Sequence, residues 1–173
     1  EFADKLLDAV KERKGLAPLS DAMDLDEATA LDVQEAVVQA RVDAGFPIVG
    51  AKLGLTSKAK QHQMSVDRPL YGWLTSDMQI DVAVPVVCSD YIQPRVEPEI
   101  AFLLGRDLEG RTVTAAQVLA ATEACFGAID VLDSRYTGYK FTFNDVTADN
   151  ASSAGFVLGG TAVDPYGLDL RLT

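Results

Sequence analysis

Glu97 and Glu99, in the stretch "RVEPEIAFLLGRD" at residues 95–107, stand two positions apart at the head of an otherwise apolar run. On a strand, residues i and i+2 share one face, so both carboxylates point the same way, followed there by Ala101 and Leu103. Val96, Pro98, Ile100, Phe102 and Leu104 take the opposite side. Two carboxylates on one face offer the oxygen ligands that hard divalent cations take; a solvated strand edge is the plainer alternative. Asp130 in "GAIDVLDSR" is an acid set among apolar residues, and a buried acid needs a partner. A shared metal ion is one such partner and Arg135 another, with Asp133 the better candidate for pairing with Arg135. Lys52 in "VGAKLGL" shares its strand face with Gly50 and Gly54. Lysine is rarely buried without a reason, and glycines beside it leave bare backbone where another group comes close. An anionic ligand fits there, as does a lysine snorkelling from a strand edge. "TADNASSAG" is dense in hydroxyl and amide groups before an apolar strand, which suits either carboxylate binding or an ordinary Asx/Ser turn.

Other chemistries find no support. His62 is the sole histidine, on a short Lys/Gln-rich segment, which rules out a His-based zinc site. There is no G-x-S-x-G elbow, P-loop or G-x-G-x-x-G fingerprint. Fifteen basic residues against 26 acidic ones give a formal charge of −11 with no Lys/Arg cluster. That balance disfavours nucleic acid and anionic membrane surfaces as partners. Cys88 and Cys125 match no C-x-x-C pattern and read as free thiols of a reducing compartment. No run approaches the ~20 apolar residues of a membrane span, and the N-terminal segment lacks a signal peptide's apolar core. A cytoplasmic location is the expectation.

The elements that must position these residues follow from periodicity. At 173 residues and 48% hydrophobic content, one domain with its own core is expected. Phe2, Leu6, Leu7 and Val10 mark a first helix, with Gly15 as its left-handed stop. A second helix starts near Asp24 or Asp26 and stops at Gly45-Phe46-Pro47. "PIVGAKLGL" reads as a strand, "TSKAKQHQM" as a short helix and "VDRPLYGWL" as a loop. "QIDVAVPVV" and "EIAFLLG" read as strands. In "TAAQVLAATEACFGAI", Thr114 and Gln117 stand at capping-box spacing before an apolar helix. "AIDVLDSRY" and "SSAGFVLGG" read as strands, and "YGLDLRLT" as the start of another. Early helices followed by runs of strands point to an α+β fold.

Taken together, "VGAKLGLTSKAK", "PLYGWL", "PRVEPEIAFLL", "AIDVLDSRY" and "VTADNASSAGFVLGG" resemble the fumarylacetoacetate hydrolase superfamily, in the branch of 2-hydroxypentadienoate hydratases and 4-oxalocrotonate decarboxylases. The resemblance implies N-terminal helices packed on a mixed, roll-like β-sheet core, and a single catalytic domain over residues 1–173 that stops short of the family's C-terminal part. It implies Mg2+ or Mn2+ held by Glu97, Glu99 and Asp130, the last usually Glu in this branch. Lys52 takes the position of the family lysine. Ser152 falls where a serine helps hold the substrate's carboxyl end, with Leu53 and Tyr136 as further substrate contacts. Asp67 in "VDRP" is hydratase-like and would serve as a base for water, whereas "DSRY", "YKFTFNDV" and "ADNASSAG" lean towards decarboxylase. The implied reaction is therefore decarboxylation of 2-oxohex-3-enedioate, in the meta-cleavage catabolism of aromatic compounds, with hydration of 2-hydroxypenta-2,4-dienoate as the alternative. A non-catalytic partner subunit of the same fold is a second alternative. The partners implied are a small 2-oxo acid and further subunits, in a homo-oligomer or a complex with the companion hydratase or decarboxylase. For a dicarboxylate, the far end of the pocket is expected to be neutral and aromatic, from Tyr71, Trp73, Tyr136 and Tyr139, since a tight ion pair there would oppose loss of CO2.

Overall fold

Apolar residues at helical spacing open the chain, and helices form there. The structure, a computed structural model, describes residues 1–63 and 65–170. Helix α1 (Phe2–Glu12) buries Leu6 and Ala9 and ends on Arg13 in the left-handed conformation, φ 52°. The stop thus falls before Gly15. That glycine serves a close approach instead, since a Cβ on it would lie 2.7 Å from Thr137 Oγ1. Helix α2 (Glu27–Asp43) is capped by Asp26, whose carboxylate accepts the Thr29 N–H at 2.7 Å. Ala30, Val33 and Val37 on its inner face meet Leu6, Leu19, Leu25, Tyr136 and Ala148 in the main apolar core.

Strand β1 (Ile48–Gly54), the short helix α3 (Lys58–Gln63) and strand β2 (Leu70–Thr75) come next. β1 and β2 form an antiparallel two-stranded ribbon with Lys52 opposite Gly72. The segment expected as a loop is therefore partly a strand. Pro69 and Gly72 imitate turn signals, while Leu70 and Gly72 turn inward and Tyr71 and Trp73 outward in strand alternation. "QIDVAVPVV" forms no strand. Gln79 makes a single bridge to Phe156, and Val82, Val84 and Val87 are exposed around Pro85, which has no N–H to donate.

β3 (Arg95–Leu104), β4 (Thr122–Leu132) and β5 (Ser153–Leu158) make a second sheet, ordered β3-β4-β5, all antiparallel. Thr114 and Gln117 form a complete capping box on α4 (Ala115–Ala121). The helix expected to run on through "ACFGAI" ends there, because β4 pairs on both sides as the central strand and that pairing overrides local helix propensity. Helix α5 (Phe143–Ala148) carries a second capping box, Thr142 with Asp145. The fold is α+β. Among the described residues, parallel contact is limited to isolated bridges, Leu16 with Tyr136 and Gln79 with Phe156. Pro165–Gly167 is a 3-10 turn where a further strand was expected to start, and residues 171–173 of that stretch lie outside the described residues. No described helix is long and apolar enough to cross a membrane.

Candidate functional site

The register of the three-stranded sheet sets Glu97 directly opposite Asp130, and Glu99 opposite Ala128. Directly opposed residues share a face, so all three acids stand on one side of the sheet. From the separate β1–β2 ribbon, Lys52 reaches over and donates from Nζ to Asp130 Oδ2. Both partners are largely buried, with side chains 12% and 9% exposed. The other oxygen, Asp130 Oδ1, is buried and has no hydrogen-bond partner. Glu97 and Glu99 lie on the open part of the face. Burial first, then the charges of Asp130 and Glu97, raise the Glu99 carboxyl above its ordinary range, against the opposing pull of Lys52.

The expected convergence of the three acids on one point is not seen. Among the described residues, no group of three or more His, Cys, Asp or Glu side chains meets closely enough to hold a metal ion. Asp130 is turned to Lys52, and like-charged glutamates on neighbouring positions have no reason to close up on their own. A cavity of about 590 Å3 elsewhere in the fold contains none of these residues; Leu16, Pro18, Ser20, Lys140 and Phe141 help to line it.

Arg135 pairs with Asp149 and not with Asp133. Its guanidinium also donates to the carbonyls of Asp133 at 2.9 Å and Ser153 at 3.0 Å, and its backbone N–H meets Asp149 Oδ2 at 3.2 Å. Asp133 instead accepts the N–H groups of Ile92 and Gln93, at 2.9 and 2.7 Å. Asp149 is fully buried, and burial pushes its carboxyl up to about 6 although Arg135 pulls the other way. Sequence reasoning missed Asp149; its only signal was an acid inside the polar run "TADNASSAG". Ser152 is buried beside it and donates its hydroxyl to Asp149 Oδ2 at 3.2 Å. The turn that carries Ser152 packs against Gly72, the cross-strand partner of Lys52.

The remaining candidates are not gathered at this face. Tyr136 is corrected from substrate contact to core residue: it is 0% exposed, packed among Leu6, Leu19 and Val33, with its hydroxyl unpartnered. Leu53 is 63% exposed and, next to Lys52 along β1, projects from the opposite side of the ribbon. Tyr71 and Trp73 share that outer side, facing Leu53 and Ala51. Asp67 sits in the exposed loop before β2. Tyr139 lies beneath the Arg95 guanidinium, 3.7 Å from its ring centroid. Arg95 precedes Glu97 by two residues and shares its face, so a cation stands where a neutral lining was expected.

No family model matches the chain. It is 46% identical over 139 residues to a 4-oxalocrotonate decarboxylase of Pseudomonas sp, covering 80% of this chain and 53% of the relative. It is 41% identical over 175 residues to a 2-keto-4-pentenoate hydratase of Paraburkholderia xenovorans (strain LB400), covering 99% of this chain and 64% of the relative. A 2-hydroxypent-2,4-dienoate hydratase of Pseudomonas putida is 41% identical over 172 residues, covering 98% of this chain and 78% of its own length. Among solved structures, the 4-oxalocrotonate decarboxylase from Pseudomonas putida G7 complexed with magnesium and adipate superposes with a TM-score of 0.93 at 34% identity, covering 98% of this chain and 65% of that one. The chain thus spans between 53% and 65% of the length of the first two relatives and of this solved structure. With whole-chain likeness to both enzymes, and with the sheet pairings that carry the E-x-E acids in place, the chain belongs to the hydratase and decarboxylase branch of the fumarylacetoacetate hydrolase superfamily.

Proposed function

We propose that this chain, as one catalytic domain, carries the reactive face of a divalent-metal-dependent lyase for small 2-oxo acids, and that its reaction is decarboxylation of 2-oxohex-3-enedioate. The observation that carries the reading is the Lys52–Asp130 contact beside Glu97 and Glu99, with Asp130 Oδ1 buried and unpartnered. The donor set suits Mg2+ or Mn2+, since every candidate ligand is a carboxylate oxygen and one of them lacks the partner its burial demands. Glu97, Glu99 and Asp130 would hold the ion, which when bound supplies a Lewis acid for negative charge on the 2-oxo oxygen. Lys52 keeps an ammonium on the same face through Asp130, where it orients the substrate's oxo-acid end and holds a proton for transfer. In the reaction the bond to the distal carboxyl carbon breaks and CO2 leaves. The electron pair passes through the conjugated chain to the 2-oxo oxygen, and one proton completes the dienol.

One observation favours this substrate over the hydratase's: the solved decarboxylase neighbour holds adipate, a dicarboxylate. Hydration remains the second reading, because the hydratase relatives match over nearly the whole chain. The test supplies the protein and Mg2+ with 2-oxohex-3-enedioate while CO2 release is followed, then with 2-hydroxypenta-2,4-dienoate while loss of ultraviolet absorbance is followed. CO2 release is the expected result. Hydration alone overturns the choice of substrate, and no turnover of either overturns the lyase reading.

A further inference from the structure

Lys52 and Asp130 belong to two sheets that share no strand, so their contact depends on whatever fixes one sheet against the other. The residue best placed for this is Asn150. Its side-chain Oδ1 accepts the Trp73 N–H at 2.8 Å, and its Nδ2 donates to the Trp73 carbonyl at 2.9 Å. One amide thus satisfies both backbone groups of a β2 residue as a neighbouring strand would. Trp73 adjoins Gly72, and Gly72 faces Lys52 across the ribbon. The backbone presses on the same spot: a Cβ on Gly72 would lie 2.6 Å from the Asn150 carbonyl oxygen, 2.9 Å from Ser153 Oγ and 3.0 Å from Ala151 Cβ. Since opposed residues share a face, the Lys52 side chain leaves the ribbon on the side that this turn covers.

The turn is in turn fixed to the acid-bearing sheet. Asn150, Ala151 and Ser152 all adopt left-handed backbone, at φ 49°, 55° and 54°. The next residue, Ser153, begins β5 and pairs with Leu132, two positions beyond Asp130. Ser153 Oγ donates back to the Asn150 carbonyl at 2.6 Å, and Asn150 itself is 1% exposed. Past the end of β2 the Ile80 N–H also reaches the Phe156 carbonyl, at 2.9 Å. Asn150 is the tie that lies beside Lys52.

We propose that Asn150 is the positioning residue of Lys52: its amide docks β2 on the acid-bearing sheet and so holds the ammonium on Asp130. The functional meaning of that contact rests on the reading of Lys52 given above, but the docking does not. The decisive variant is Asn150→Gly, because glycine adopts the left-handed conformation freely and only the amide is lost. Wild type and variant are treated with an amine-acylating ester, and Lys52 modification is measured by peptide mass mapping relative to exposed Lys60. Alkylation of Cys125, buried in β4, reports whether the acid-bearing sheet stays closed. Lys52 labelling is expected to rise by about tenfold, as two hydrogen bonds no longer oppose local opening, while Cys125 remains protected. In turnover, kcat should fall more than KM rises. Unchanged Lys52 labelling overturns the proposal, and so does a joint rise at Lys52 and Cys125, which would make Asn150 a general support of the fold. If Asn150→Gly does not fold, Asn150→Asp keeps the acceptor for Trp73 and loses the donor, and the same two labels decide. Selective Lys52 labelling in a protein that turns over neither substrate would leave the docking role intact and remove only the functional reading.

Discussion

At Glu99 the demands of binding and of folding are opposed. A carboxyl raised by burial and by the charges of Asp130 and Glu97 binds its proton more tightly in the folded protein than in the unfolded chain. For such a group, stability declines as pH rises through the folded-state value. Glu99→Gln removes the repelled charge along with an anionic ligand. Without metal, the variant should be slightly more stable, by less than about 1 kcal/mol because the group is partly exposed and screened. Its affinity for Mg2+ or Mn2+, read by titration calorimetry, should drop by roughly tenfold or more. Equal affinity in the two proteins would remove Glu99 from the ligand set. The place of Glu97 opposite Asp130 follows from the strand ladder alone.

Among the elements, the β1–β2 ribbon has its tolerance written in its glycines. At Gly72 an added methyl would meet backbone and side-chain atoms of the 150–153 turn at 2.6 to 3.0 Å, whereas at Gly54 the nearest neighbour is Leu70 Cβ at 3.9 Å. Gly72→Ala should therefore destabilise by about 1–3 kcal/mol through overpacking, and Gly54→Ala should stay within about 0.5 kcal/mol of wild type. Chemical denaturation of the two variants checks the contrast, and equal effects would mean that the turn yields without strain. The same strand explains a limit of sequence reading. Pro69 and Gly72 look like loop residues, and only docking against Asn150 gives Gly72 its packing role.

Across the whole molecule, Asp145 ties the segment between α1 and α2 to helix α5. Its carboxylate accepts the Ser20 N–H at 2.9 Å and the Ser20 hydroxyl at 2.6 Å, over a separation of 125 residues, and also caps α5 through Thr142. Burial pulls its carboxyl upward, but these hydrogen bonds outweigh that and hold it below the ordinary 3.8. A lowered carboxyl contributes stability that is present above the unfolded value and is lost as pH falls through the folded one. Asp145→Asn should thus cost about 1–3 kcal/mol at neutral pH, and the difference from wild type should shrink below pH 3.8. Parallel melting temperatures at all pH values would contradict the assignment. Which features could be read without the fold follows from range. The shared face of Glu97 and Glu99 needs only the two-residue strand period, and the caps at Asp26 and Thr114 need only neighbours three residues on. The sequence by itself also determined the acid balance and the family motifs. Tertiary structure alone decided that Lys52 reaches Asp130 across 78 residues, that Arg135 takes Asp149 over nearby Asp133, and that Tyr136 belongs to the helical core. Those outcomes depend on which surfaces exclude water together and which buried charges must find partners, and no local period encodes either.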